Sequence, residues 1–393
     1  MNEHKKKSRG PRVLAVGAAG ALVMGAALAG LASASDTTAE ETATECTSGL
    51  SFTQSATSAA AGSNTRHVAT GDLNGDGDQD VVATNLDGDS LTVLLGNGDG
   101  TFATGTEYAV GTQPYQSVIA DVNGDGNPDI ASADFGGATV SVLLGNGDGT
   151  FAAATQYTVG AAPRSLAAGD LDGDGDLDLV VAEQDTSAVS ILLGAGDGTF
   201  SVDAQAVTVT RPHGIVLADF DGDGNLDLAT ASVGGSGGVS VALGAGDGTF
   251  GTVTEYASVA RLYSIATGDF NGDGDTDLAT ISNGSNTLDV YLGNGDGTFA
   301  DATAYTTSAL PVAVSAADLD EDGYSDILVS SLKGESVTLF QGAADGTLTQ
   351  LSELSASGAY DAQAADLDAD GTTDIAVANS SGGQVDVFTG SCG

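Results

Sequence analysis

Seven short stretches of this sequence repeat one arrangement of side-chain oxygens. The first reads Asp72-Leu73-Asn74-Gly75-Asp76-Gly77-Asp78-Gln79-Asp80, with oxygens at positions 1, 3, 5 and 9 and glycine at 6. The same ligand types stand at Asp121, Asn123, Asp125, Asp129; at Asp170, Asp172, Asp174, Asp178; and at Asp219, Asp221, Asp223, Asp227. They continue at Asp269, Asn271, Asp273, Asp277; at Asp318, Asp320, Asp322, Asp326; and at Asp366, Asp368, Asp370, Asp374. Carboxylates alternating along so short a turn converge, and at about 4 Å a pair repels by roughly 4 kcal/mol near a protein surface. A hard cation between them turns that repulsion into attraction. The backbone carbonyl at position 7 (Asp78, Asn127, Asp176, Asn225, Asp275, Tyr324, Thr372) can add a ligand, and the closing Asp can offer both oxygens. A flexible set of six to eight oxygens suits Ca²⁺ better than Mg²⁺. The expectation is up to seven structural Ca²⁺ ions. The last two loops replace the glycine at position 4 with Glu321 and Ala369 and are the variant sites. With these carboxylates assigned to metal, none is left over as a catalytic acid/base pair.

The loops recur at spacings of 49, 49, 49, 50, 49 and 48 residues. A second marker, LGNGDGTF or LGAGDGTF, begins at Leu95, Leu144, Leu193, Leu243 and Leu292, with a degenerate copy at Gly342–Leu348. A period of this length, with short strands between turn signals, indicates propeller blades rather than a helical solenoid. In the first repeat, strand A lies near His67–Gly71, strand B at Asp80–Thr84, strand C at Leu91–Leu95, and strand D after Phe102. The predicted fold is therefore all-β: a seven-bladed β-propeller with four antiparallel strands per blade. The residue before each Asp-rich loop is Gly or Ala in all seven copies, as crowding at a propeller axis requires. The seventh repeat stops after strand C, and Gly49–Ser58, with Phe52 at the marker-Phe position, supplies its fourth strand. Cys46 and Cys392 flank that closure and are expected to form a disulfide. The model gain for so long a loop is about 4–5 kcal/mol.

A D-x-[DN]-G-D-G-x-x-D loop between strands, followed by LGNGDGTF, resembles the FG-GAP/VCBS repeat family, which includes the seven-bladed propeller of integrin α-subunits. The resemblance covers residues 49–393. It implies calcium in the A–B loops on one face and ligands on the opposite face, built from D–A and B–C loops. A cation loop in all seven blades, with no added leg, insertion or membrane span, departs from the integrin pattern. Integrin partners are not carried over.

The 393 residues carry 54 Asp+Glu against 10 Lys+Arg, a formal net charge of −44, with no Trp. That balance excludes nucleic-acid binding through a basic surface and disfavours anionic membranes. Two cysteines exclude a disulfide-dense scaffold or a cysteine zinc site. Residues 1–34 read as a cleaved secretory signal: basic residues from Lys5 to Arg12, an apolar run from Val13 to Leu31, then Ala32-Ser33-Ala34. Residues 35–48 read as a flexible acidic leader. The mature chain is expected to be secreted, monomeric and not inserted in a membrane.

Only five Lys and Arg lie beyond residue 34: Arg66, Arg164, Arg211, Arg261 and Lys333. The arginines lie six or eight residues before an Asp-rich loop, at the D–A connection, and Lys333 in a B–C loop. Six residues before each loop the ring reads Arg66, Tyr115, Arg164, His213, Tyr263, Val312, Tyr360, with His67 beside Arg66. Arg, Tyr and His are favoured binding residues, and a positive patch on so acidic a chain focuses anions. These residues are the expected ligand face for an extracellular protein or glycan, the anionic candidates being a uronate, a sulfate or an acidic peptide. Tyr108, Tyr157, Tyr256 and Tyr305 share one register of strand D and are expected to pack. With no nucleophile motif and two histidines left after cleavage, the chain is read as an interaction and adhesion module rather than an enzyme. A propeller-based polysaccharide lyase or hydrolase and a purely structural surface protein are the alternatives.

Overall fold

The computed structural model describes residues 49–56, 58–234, 238–257 and 261–392. The signal segment, the leader and Cys46 lie outside them. Each repeat forms one antiparallel sheet whose strands run A to D from the axis outward, as in Thr65–Gly71, Asp80–Asn85, Ser90–Leu94 and Thr106–Ala109. Seven such sheets make the ring. The B strands, for example Asp80–Asn85 and Asp129–Asp134, are buried along their whole length, because neighbouring blades cover both of their faces. Their sequences accordingly run as continuous Val, Ile, Leu, Ala and Thr rather than alternating. Strand D is the solvent edge; in the first, second and fifth blades it keeps only its tyrosine partly covered, and in the third and sixth it buries Val207 and Leu354.

The core lies between blades. One cluster joins Val118 and Val140 of the second blade to Leu166 and Val181 of the third. The strand-D tyrosines pack as expected. Tyr108 meets the marker Phe151 of the next blade edge to face at 5.5 Å, and its hydroxyl accepts that residue's N–H at 3.3 Å. Tyr256 does the same to Phe299, at 5.6 Å and 3.2 Å.

Closure follows the predicted route. Leu50–Gln54 pairs antiparallel with Gln384–Cys392, placing Phe52 opposite Gly390. The marker Phe faces the marker glycine in the same way at Phe102–Gly96 and Phe151–Gly145. Ala59–Ala60 extends the borrowed edge. The inner strands also close the circle: Val68 N–H of the first blade donates to Asp361 Oδ2 of the seventh at 3.2 Å. Cys392 ends the last strand, and its expected partner Cys46 is outside the described residues.

Candidate functional site

Every Asp-rich loop is folded by its own side chains. The position-1 carboxylate accepts the N–H of the glycine at position 6 in all seven copies. The position-5 carboxylate, exposed, accepts the N–H at position 7 in all seven. The position-9 aspartates are buried. Both oxygens of each are engaged: Leu73 N–H and Gly96 N–H donate to Asp80 at 2.8 and 2.7 Å, and the pair recurs around the ring through Gly390 N–H on Asp374. The closing Asp thus ties the A–B loop to the C–D loop of its own blade and keeps lone pairs for a cation; in the seventh loop Asp374 Oδ2 also accepts Asp368 N–H at 3.2 Å.

Backbone conformation settles the two variant loops. Position 4 is left-handed at Gly75 (φ 75°) and equally at Glu321 (φ 59°) and Ala369 (φ 56°). The sequence departure leaves the turn unchanged. The marker glycine is fixed by close approach instead: a Cβ on Gly145 would stand 2.1 Å from the Pro128 carbonyl oxygen, and the equivalent contact recurs at Gly96 and Gly390.

The carboxylates at positions 1, 3 and 9 bring oxygens within 4.8 Å of one another in four loops: Asp170/Asp172/Asp178, Asp219/Asp221/Asp227, Asp318/Asp320/Asp326 and Asp366/Asp368/Asp374. The other three loops put Asn74, Asn123 or Asn271 at position 3. Position 5 stands outside these carboxylate sets. The loops fit a cation. Burial pushes the position-9 carboxyls up to about 6, for example Asp80 and Asp178, and Asp326 up to about 7, with the neighbouring carboxylates adding to the rise. In the sixth loop Asp320 Oδ1 is buried with no hydrogen-bond partner, which an ion would satisfy. These clusters can hold metal ions.

The opposite end of the ring is built differently. In all seven blades the pairing of strands A and B slips by one residue near the start of strand A. The extra residues are Arg66, Tyr115, Arg164, His213, Tyr263, Val312 and Tyr360, the column picked out in the sequence. A β-bulge re-aims its side chain, and here most of the column reaches the mouth of the channel. Just before each inner strand the chain takes a left-handed residue, at Asn64, Gln113, Ala162, Arg211, Arg261, Leu310 and Gly358. Its carbonyl accepts a B–C loop N–H in most blades, as with Gln113 and Phe135 at 2.9 Å.

These elements enclose a pocket of about 420 Å³ lined by Arg66, Arg164, Arg211, Arg261, Tyr115, His213, Tyr263 and Tyr360. Leu86, Gln113, Phe135, Gln184 and Val233 complete it; no carboxylate is among the described residues lining this mouth, and Asp361 lines the narrower chamber below it. Arg66 lies over the Tyr360 ring at 4.2 Å; Arg164 lies over Phe135 at 3.8 Å and Tyr115 at 4.5 Å. Tyr115 and Tyr360 are joined hydroxyl to hydroxyl. Burial drives His213 down to about 3, with Arg164 adding to the effect, so it is neutral. Burial and the neighbouring Tyr360 hold the Tyr115 phenol well above its ordinary range.

Three placements differ from the sequence reading. Arg66 and Arg164 sit on the inner strands themselves, and only Arg211 and Arg261 occupy the D–A connection. His67 lies one layer deeper, driven to about 3 by burial, with Nε2 3.5 Å from Asp361 Oδ2. Lys333 is exposed in its B–C loop and does not line the pocket. Sequence reasoning missed Leu86, Phe135, Gln184 and Val233. Each stands fourteen residues after the start of its Asp-rich loop, so the repeat alignment held the signal.

An FG-GAP-like repeat matches residues 72–132, 121–181, 170–230, 230–280, 269–329 and 318–377. No curated protein matches the chain. Among solved structures, it is similar to an Agrocybe aegerita lectin that recognises non-reducing terminal N-acetylglucosamine, at 23% identity and TM-score 0.54, over 81% of this chain and 86% of that one. It is similar to BBS1N, solved in complex with ARL6DN, at 12% identity and TM-score 0.59, over 86% and 96%. A protein from Lactobacillus plantarum matches at 19% identity and TM-score 0.55, over 76% and 87%. These likenesses show a shared fold. With the repeat matched along most of its length and seven blades in its ring, the chain belongs to the FG-GAP-like repeat family.

Proposed function

We propose that this is a secreted interaction module, stabilised by calcium at one end of the ring and binding an anionic extracellular protein or carbohydrate at the other. One observation carries the reading. Four arginines share a pocket mouth with no carboxylate among its described lining residues, in a chain with 54 acidic residues. Four guanidinium groups at one mouth favour a positive local potential that draws anions in. The lectin relative, a propeller that recognises a sugar, supports a carbohydrate among the ligands.

Calcium would be held by the side chains at positions 1 and 3 and the free lone pairs at position 9. It would supply the positive charge that lets these carboxylates lie together. The disulfide Cys46–Cys392 belongs to the same reading, and no described cysteine is a free thiol. The proposed function is binding rather than catalysis: His213 is packed between Tyr115 and Tyr263 at 5.5 and 4.5 Å, and the Tyr115 hydroxyl is bonded to that of Tyr360.

The test is a binding screen against arrayed glycans and extracellular proteins, in Ca²⁺ and in chelator. Anionic ligands should bind the wild type and fail on an Arg66→Ala/Arg164→Ala variant that still folds. Normal binding by that variant would place the site elsewhere.

A further inference from the structure

The four pocket arginines form two tiers. Arg66 and Arg164 are half-buried and line both the mouth and the narrower chamber below it; Arg211 and Arg261 are exposed and line the mouth alone. The inner pair is fixed by its stacking on Tyr360, Tyr115 and Phe135, and Arg164 Nε donates to Gln184 Oε1 at 3.1 Å. Stacking covers the faces of a guanidinium and leaves its N–H edge, which grips an oxyanion with two prongs. Arg66 Nε is buried without an acceptor, although buried donors are nearly always paired. The outer pair is loose: Arg211 meets Asp185 at 3.6 Å with both side chains half-exposed, a contact worth little.

Below the arginines the pocket narrows, because the Tyr115–Tyr360 bond crosses the channel and His213 stacks between Tyr115 and Tyr263. A polymer entering along the ring axis therefore enters by an end. Around the arginines stand amides and phenols, Gln113, Gln184 and the tyrosines, groups that pair with hydroxyls. A sugar ring bearing both carboxylate and hydroxyls meets both sets. An acidic peptide would meet the second set only through its backbone amides.

Resting on the binding function above, we propose that the pocket takes the end of an acidic polysaccharide by its last two carboxylate-bearing sugars. The terminal carboxylate lies on Arg66 and Arg164, and the next on Arg211 and Arg261.

Calorimetric titration of the calcium-loaded protein at low salt with galacturonate, digalacturonate, trigalacturonate and a tri-aspartate peptide tests this. Digalacturonate should bind about tenfold or more tighter than the monomer, and the trimer should add little. Arg211→Ala/Arg261→Ala should lose the dimer's advantage and weaken the monomer far less than Arg66→Ala/Arg164→Ala does, with an unchanged melting temperature as the folding control. Equal affinity for monomer and dimer, a gain that grows steadily with length, or a peptide that binds as tightly would overturn the inference. Binding of some other anion through Arg66 and Arg164, with no uronate bound, overturns it too and leaves the binding function standing. If anions bind and no arginine variant affects them, the binding function itself fails.

Discussion

The aspartate at position 9 is both a candidate metal ligand and a structural latch. Asp178 accepts Leu171 N–H at 2.9 Å and Gly194 N–H at 2.7 Å. Asp178→Ala leaves one buried donor (Leu171 N–H) and one part-buried donor (Gly194 N–H) unpaired, the buried one at about 1–3 kcal/mol. The melting temperature should fall for this variant even in chelator, where a purely metal-binding residue would show no effect. Asp361, next to His67 at the base of the pocket, gives a pH signature. Burial raises its carboxyl to about 7 against an ordinary 3.8. Between those values the folded state holds a proton that the unfolded state has lost, so stability falls as pH rises. Asp361→Asn removes that loss and keeps an acceptor for Val68 N–H. Its melting temperature relative to wild type should climb from pH 4 to pH 8; a constant difference would mean the carboxyl does not titrate there. Buried His67 works in the opposite sense: its proton affinity is depressed to about 3, which lowers stability as pH falls below its ordinary 6.5.

At the scale of the element, two devices repeat in every blade. The first is the marker glycine, whose N–H bonds the position-9 aspartate while its missing Cβ admits a carbonyl. Gly145→Ala should cost at least about 2 kcal/mol, since the obstacle at 2.1 Å is backbone and cannot swing aside. A melting temperature equal to wild type would refute the close approach. The second is the bulge that turns one inner-strand residue into the mouth. The sequence showed this column of Arg, Tyr and His because the residues hold a constant place in the repeat. It did not show the bulge, which is a slip between two strands and leaves no mark on either alone. Phe135 stands at the same repeat position as the pocket residues Leu86, Gln184 and Val233, and Arg164 from the following blade lies over it. Lys333 shared the loop class of the pocket residues and misses the lining. Loop class places a residue on a face and says nothing of its distance from the pocket.

For the whole molecule, periodicity made the architecture legible: the spacing of the Asp-rich loops counted the blades, and Phe52 gave the register of closure before any contact was seen. The interior was less so, because the core lies between blades and pairs residues about fifty positions apart. The closed ring also links its two ends, since each inner strand leads into a candidate cation loop at one terminus and six of the seven carry a residue of the pocket mouth at the other. Metal at the loops is thus expected to steady the pocket through strands of seven residues. The most direct test is a calcium titration of the metal-stripped protein, with a melting curve at each step. The account predicts up to seven bound ions, a melting temperature that rises with occupancy and falls sharply in chelator. No bound calcium, and one melting temperature in both buffers, would contradict it.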